Sequence, residues 1–384
     1  MSVPERLLRQ LQNRAEQGIL RQLTLTPNGL VDFSSNDYLG LASSERMAQV
    51  VASELENNLS HGATGSRLLS GNTAYAQALE EQIATFHKAE AALLFNSGYA
   101  ANTGFFSAVP QRGDTIFYDE ASHASMKDGI RLSFAQSFSF KHNDLEDLTV
   151  KLKRAQGDVY VAVESLYSMD GDFAPLAELA ALCQNKGFYL FVDEAHTNGL
   201  FGKNGEGLVY ELGLEEQVFA RVMTFGKALG CHGAAVVGPK ALQEFLLNFS
   251  RPFIYTTALP NPSLATIKAA YSLLPELSAA RNQVQTLAKL YREAMQQDSV
   301  SGLFFGKGAK NSPIQAWQLA DPVKLRQVSQ KLQATGFDVR PVFSPTVPAG
   351  KERLRLVLHA FNTQEQVQEL CHLLHTQPPL NATL

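Results

Sequence analysis

Two stretches hold residues whose types and spacing suit covalent chemistry on a carbonyl group. In Met223-Thr-Phe-Gly-Lys227-Ala-Leu-Gly230 an apolar run ends in threonine and glycine, followed by one lysine among small residues. A loop lysine ordinarily sits on a solvated face. Here the flanking sequence is apolar, and desolvation lowers a lysine pKa toward the neutral amine that attacks carbonyls. In Phe188-Tyr-Leu-Phe-Val-Asp193-Glu-Ala-His196 an apolar run ends in an acid, with a histidine three residues on. Ligands of doubly wound sheets lie beyond the carboxyl ends of strands, so an acid there is placed to meet one. Pyridoxal phosphate needs this pair: a lysine to form a Schiff base and an acid to keep the pyridine nitrogen protonated.

Asp193-Glu-Ala-His196 also resembles the acidic box of nucleotide-driven motors. That chemistry needs a GxxxxGK[ST] phosphate cradle. Lys227 is followed by Ala228, Lys203 by Asn204 and Lys307 by Gly308, so the motor becomes a remote alternative. The spacing of Gly226, Gly230 and Gly233 does not make a dinucleotide fingerprint either. Three more polar groups follow expected strands. Asn96-Ser-Gly-Tyr-Ala-Ala-Asn102 opens a helix whose free amides and dipole suit a phosphate. Asp119-Glu-Ala-Ser-His123 offers a flat imidazole able to stack on a pyridine ring, although a lone histidine there more often caps a helix. Ser165-Leu-Tyr-Ser168 supplies a hydroxyl, or merely a polar turn. Five consecutive strand ends, each bearing a fitting group, are hard to assign to separate accidents.

Short apolar runs alternating with helical patterns would position these residues, as in βα units around a parallel sheet. Strands are expected at residues 91–95, 114–118, 159–163, 188–192, 221–224 and 233–237, with helices at 72–87, 144–155 and 175–186. After Pro260 one long helical pattern covers 262–297. It leads to strands near 313–319 and 353–359 and helices near 322–335 and 363–375. The expected fold class is α/β, with a mostly parallel sheet in a large domain and a smaller α+β C-terminal domain. The divisions are an N-terminal helix and arm over 1–45, the large domain over 46–280 and the small one over 281–384. Leu7, Leu11, Ala15 and Ile19 recur every four residues, an amphipathic helix expected to pack on the body of the protein.

Composition narrows the function further. With 384 residues, 45% hydrophobic and 18% charged, the chain has ample core and no sign of extended disorder. Lys and Arg number 33 against 37 acids, a net charge of -4 that argues against a nucleic-acid partner. No apolar run reaches the roughly 18 residues of a membrane span. The low charged fraction favours a surface covered by a partner subunit. Cys183, Cys231 and Cys371, an odd number at wide spacing, suit neither a disulfide framework nor a metal clamp, and point to a reducing, cytoplasmic setting.

Taken in order, Asn36-Asp-Tyr-Leu-Gly-Leu41, Asn96 to Asn102, Ser122-His-Ala-Ser125, Ser168-Met-Asp-Gly-Asp172, Asp193-Glu-Ala-His196, Thr224-Phe-Gly-Lys227 and Arg353-Leu-Arg355 resemble the α-oxoamine synthases. The match runs from about Asn36 to Arg355. It implies a fold type I pyridoxal phosphate enzyme, a homodimer with shared active sites, and transfer of an acyl group from a thioester to an amino acid with loss of carbon dioxide. No metal is implied. By this resemblance Lys227 is the Schiff-base lysine and later proton carrier, Asp193 pairs with the pyridine nitrogen and His123 stacks on the ring. His196 and Ser168 would sit by the phenolic oxygen. Ser97, Gly98, Tyr99 and Thr224 would bind phosphate, with Thr256 reaching the phosphate of a neighbouring subunit. Asn36 and Arg355 would hold the amino-acid carboxylate, a task that suits the arginine fork. Thr346 and Arg21 would contact substrate, Arg21 reading equally well as a surface residue. Relatives often carry an arginine just before Pro-Thr-Val-Pro, where this chain has Phe343-Ser344, and Arg340 lies three residues further back. The glycine-rich stretch from Gly62 to Asn72 resembles the biotin-pathway members, which use L-alanine and a pimeloyl thioester on coenzyme A or acyl carrier protein. Arg21 or Arg67 would then meet the far carboxylate. Glycine- and serine-using relatives share the same cofactor residues and form the alternative.

Overall fold

The computed structural model describes residues 3–23, 25, 29–56, 60–297, 304–305 and 311–376. In chain order its strands are β1 Val31–Asp32, β2 Ala91–Phe95, β3 Thr115–Asp119, β4 Gln136–Phe140, β5 Val159–Glu164, β6 Tyr189–Asp193 and β7 Ala220–Thr224. They continue with β8 Ala234–Gly238, β9 Phe304–Phe305, β10 Ile314–Gln318, β11 Phe337–Asp338, β12 Arg340–Val342 and β13 Arg353–Val357. The chain forms two compact units, one of Asn36–Tyr167 and Phe173–Asn282, the other of Met1–Ser35, Ser168–Asp172 and Gln283–Leu384.

The larger unit is built on a seven-stranded sheet of order β2-β8-β7-β6-β5-β3-β4. β4, β3, β5, β6 and β7 run parallel, while β8 lies antiparallel between β7 and β2. The expected strand over 233–237 is therefore present but reversed, because periodicity carries no direction. Every residue of β5 and β7 is buried, which is why β5 reads as a continuous apolar run up to Glu164 rather than an alternating one, while β7 carries the buried Arg221. β4 escaped the sequence reading for the converse reason: Gln136-Ser-Phe-Ser-Phe140 sits at the sheet edge and is mostly exposed. The helix Gly98–Ala108 is rooted by Phe105 and Phe106, whose rings lie 4.5 and 4.7 Å from that of Phe191 on β6. Burying each ring contributes about 1.5–3 kcal/mol, enough to hold the opposite, N-terminal end of the helix in place.

The single long helix expected over 262–297 is in fact broken. Helix Asn261–Leu273 gives way to a tight turn, Leu274–Glu276, before helix Ser278–Gln297. Pro275 lies in that turn, where its missing N–H removes a helical hydrogen bond.

The smaller unit carries an antiparallel sheet, β12-β13-β10-β9, and a short parallel pair, β1-β11. Its core gathers Phe33, Trp317, Leu354 and Leu356 with Leu325 and Leu332 of helix Pro322–Ala334 and Leu370 and Leu374 of helix Gln364–His375. Residues 298–303, 306–310 and 377–384 of the expected C-terminal domain lie outside the described residues. The N-terminal helix, Glu5–Glu16, departs from expectation. None of its residues is buried, and Leu7, Leu8 and Leu11 stay 43%, 51% and 53% exposed. Its apolar stripe exists, but the described chain does not cover it. Ile19 lies past the helix end, beyond Gly18.

Candidate active site

Within the larger unit, loops at the strand ends bring the chemical residues together. Lys227 follows β7 in a tight loop that Gly230 closes with a φ of +62°, its Cα pressed against the backbone of Leu41 and Ala42. The lysine Nζ lies 2.8 Å from His196 Nε2, and the other ring nitrogen of His196, Nδ1, is 2.6 Å from the Tyr38 hydroxyl. Tyr38 is fully buried and also reaches Asn36 Oδ1 at 3.4 Å. The line Asn36, Tyr38, His196, Lys227 thus places an expected carboxylate-binding amide at one end and the amine at the other.

Asp193, the last residue of β6, is buried and accepts two hydrogen bonds: from Asn102 Nδ2 at 2.7 Å and from the Ala195 backbone at 2.8 Å. Asn102 stands four residues after Gly98, one helical turn along, and its amide also donates to Ser125 Oγ at 3.0 Å. Ser125 in turn holds His123 Nδ1, through its hydroxyl at 2.7 Å and its backbone N–H at 3.2 Å. Burial lowers the pKa of His123; Lys227 and Lys127 push the same way, while Asp193 and Asp128 oppose. The neutral imidazole is accordingly favoured.

The helix that Ser97 caps, Gly98–Ala108, begins just past the end of β2. Ser97 Oγ accepts from the Ala100 N–H at 3.1 Å, leaving the first amides of the helix to an anion. Gly98 faces Thr224 closely enough that a Cβ would fall 2.5 Å from Thr224 Cγ2, so only glycine leaves this cradle open. Tyr99 is 48% exposed and donates its hydroxyl to Asp128, a bond that raises its pKa. Thr256 is half-buried, and its neighbour Thr257 receives a hydrogen bond from Asn96 Nδ2 at 2.9 Å.

The remaining expected residues belong to the smaller unit. Arg21 Nη2 donates to Thr346 Oγ1 at 3.0 Å, so these two substrate candidates meet. Arg355 Nε donates to the Ser168 carbonyl at 2.6 Å. Arg355 also lines a cavity of about 500 Å³ with Asp32, Ser34, Ser35 and Arg340. Arg340 is forked onto Asp338 at 2.9 and 3.2 Å. Arg67, the other arginine considered for a distant carboxylate, is engaged elsewhere: its guanidinium grips Glu80 at 2.8 and 2.9 Å and Asn72 at 2.9 Å.

Sequence reasoning passed over Tyr38, Asn102 and Ser125, although all three lie inside motifs it had singled out. The fourth omission is Glu164 at the end of β5, paired in register with Asp193. An amine, a doubly braced carboxylate, a neutral imidazole and a glycine-lined helix start are the donor set that pyridoxal phosphate needs, so the residues present fit that group.

Fold and site together define a pyridoxal phosphate enzyme of fold type I. The family model for aminotransferase class I and II matches residues 28–374. The chain is 42% identical to 8-amino-7-oxononanoate synthase of Emericella nidulans, over 95% of this chain and 93% of that one. Among solved structures it resembles serine palmitoyltransferase from S. paucimobilis with bound PLP and myriocin, at 29% identity and a TM-score of 0.86, covering 96% of this chain and 95% of that one. It also resembles 8-amino-7-oxononanoate synthase from Francisella tularensis, at 28% identity and a TM-score of 0.77, covering 91% and 97%. The chain belongs to the aminotransferase class I and II family and, within it, to the α-oxoamine synthases.

Proposed function

We propose that this chain condenses L-alanine with a pimeloyl thioester, on coenzyme A or acyl carrier protein, to give 8-amino-7-oxononanoate, carbon dioxide and the free thiol in biotin biosynthesis. The observation that carries this reading is the pairing of Lys227 and Asp193 at neighbouring strand ends in a chain 42% identical to an enzyme of that name. Pyridoxal phosphate, when bound, supplies the ring that draws electrons from the amino acid's α-carbon. The chain's own residues do the rest. Lys227 anchors the cofactor through its amine, then takes the α-proton at Nζ and later returns one. Asp193 sets its charge against the ring nitrogen, and the neutral His123 lends a flat face. His196 and Ser168 hold the phenolic oxygen. Ser97, Gly98, Tyr99 and Thr224 bind the phosphate, with Thr256 serving the phosphate of a second copy. Asn36 and Arg355 orient the amino-acid carboxylate, while Arg21 and Thr346 meet the acyl substrate.

The working assembly is a homodimer, supported by the uncovered apolar stripe on the N-terminal helix. Its setting is the cytoplasm, which suits three free cysteines. Among the described residues no helix is long and apolar enough to cross a membrane.

The test is product formation from three pairs under one set of conditions: alanine with pimeloyl-CoA, glycine with acetyl-CoA and serine with palmitoyl-CoA. The likeness to serine palmitoyltransferase makes the third pair the sharpest rival. Fastest turnover of the first pair supports the reading, and faster turnover of either other pair overturns the substrate. A purified protein that stays colourless with added pyridoxal phosphate, or a Lys227→Ala variant that keeps turning over, overturns the class.

A further inference from the structure

Glu164 takes no part in the reading above, yet it ends β5 directly beside Asp193 at the end of β6. The two strands are parallel and the residues are register partners, so both carboxyl groups leave the same face of the sheet. Glu164 is 3% exposed, and its Oε1 has no hydrogen-bond partner among the described residues. What it receives is the backbone amide of His123. Asp193 is better served, with two N–H donors at 2.7 and 2.8 Å.

Two buried carboxylates side by side cannot both ionise cheaply, and the one with more donors keeps the charge. The other titratable groups facing Glu164 are Lys227, His123, Asp119 and Tyr167. Burial first, then the Asp193 charge, push the Glu164 pKa up to about 8, with Lys227 and the His123 amide only partly opposing. Ionised, the stranded Oε1 would carry its charge with no donor. Protonated, the group costs far less to bury.

We infer that Glu164 is a positioning residue, held as a neutral carboxylic acid so that the Asp193–Glu164 pair presents one negative charge, on Asp193, to the ring nitrogen. This rests on the role proposed for Asp193. A second charge at that point would favour a protonated His123 as well. One charge leaves that ring neutral and aims the whole attraction at the pyridine nitrogen.

Infrared spectroscopy of the holoenzyme tests the inference without reference to turnover. The C=O stretch of a protonated carboxylic acid, assigned to glutamate by carbon-13 labelling and by its shift in heavy water, is expected at neutral pH and is lost in Glu164→Gln. In Asp193→Asn the same band titrates away at lower pH, because its like-charged neighbour is gone. Absence of the band in the unaltered holoenzyme, or an unchanged titration in Asp193→Asn, overturns the inference, and both readings survive should Glu164→Gln fail to fold. Cofactor affinity adds a second arm: Glu164→Ala weakens pyridoxal phosphate binding by at least about tenfold and Glu164→Gln restores it to within about threefold. A Gln variant as weak as Ala would refute the neutral acid. Full activity in Asp193→Asn would instead strike the role of Asp193, while the band would still report Glu164.

Discussion

Replacing Tyr38 with phenylalanine tests whether His196 must be held from behind for Lys227 to work. The substitution keeps the ring, which is fully buried, and removes only the hydroxyl that lies 2.6 Å from His196 Nδ1. A hydrogen bond between such groups contributes about 0.5–1.5 kcal/mol net. At about 1.4 kcal/mol per tenfold, that is a loss of roughly 2-fold to 13-fold if the whole bond is felt in the rate-limiting step. The loss should fall on kcat, because His196 Nε2 touches the amine at 2.8 Å and a ring free to turn no longer steadies the group that moves the proton. Apolar packing is preserved, so the melting temperature should drop by only about 2–4 °C for each kcal/mol lost. Initial rates with alanine and pimeloyl-CoA, a thermal melt and the absorbance of bound cofactor measure the three effects separately. Rates within about twofold of the unaltered enzyme, alongside a lowered melting temperature, would show that Tyr38 only packs and that His196 is oriented without it.

Three further outcomes follow from single contacts. Gly98→Ala puts a Cβ 2.5 Å from Thr224 Cγ2, so Thr224 must turn or the helix start must back away; pyridoxal phosphate should bind about tenfold more weakly by equilibrium dialysis, and unchanged binding contradicts the cradle. Gly230→Ala forces a side chain into φ +62° with a Cβ 2.4 Å from the Ala42 nitrogen; urea unfolding should show a loss of at least about 2 kcal/mol, and a loss under about 0.5 would be inconsistent with the close approach. His87 is wholly buried, accepts from the Tyr271 hydroxyl at Nε2 and donates from Nδ1 to the Glu206 carbonyl, and burial lowers its pKa to about 3. Below about pH 6.5 the unfolded chain takes up a proton that the folded one refuses, so stability falls with pH by up to about 1.4 kcal/mol per unit until about pH 3. Urea midpoints between pH 7 and 5 should fall less steeply in His87→Gln, and equal slopes would place the proton elsewhere.

Much of this protein is legible in one dimension because central parallel strands are buried on both faces. They appear as largely apolar runs, and ligands of such sheets lie beyond the carboxyl ends of those runs. Asp193 closes one such strand, and Ser97, His123 and Lys227 stand in the loops just past three other strands, which is why the sequence offered them as candidates. The break at Pro275 was also legible in principle, since a proline cannot donate within a helix. Other features belong to three dimensions. The reversed β8 and the polar edge strand β4 depend on which strand lies alongside, and neither direction nor edge position leaves a periodicity. The apolar stripe of the N-terminal helix announces a buried face but says nothing of what covers it. Arg67 looked available until folding set Glu80 against it, and Tyr38 gained its role only when His196, 158 residues away, came within 2.6 Å. Glu164 marks the limit most clearly. As the last residue of Val159-Tyr-Val-Ala-Val-Glu164 it is an ordinary acid closing an apolar run. Its charge state is decided by lost water and by the carboxylate placed beside it, and both are properties of packed neighbours rather than of the residue itself.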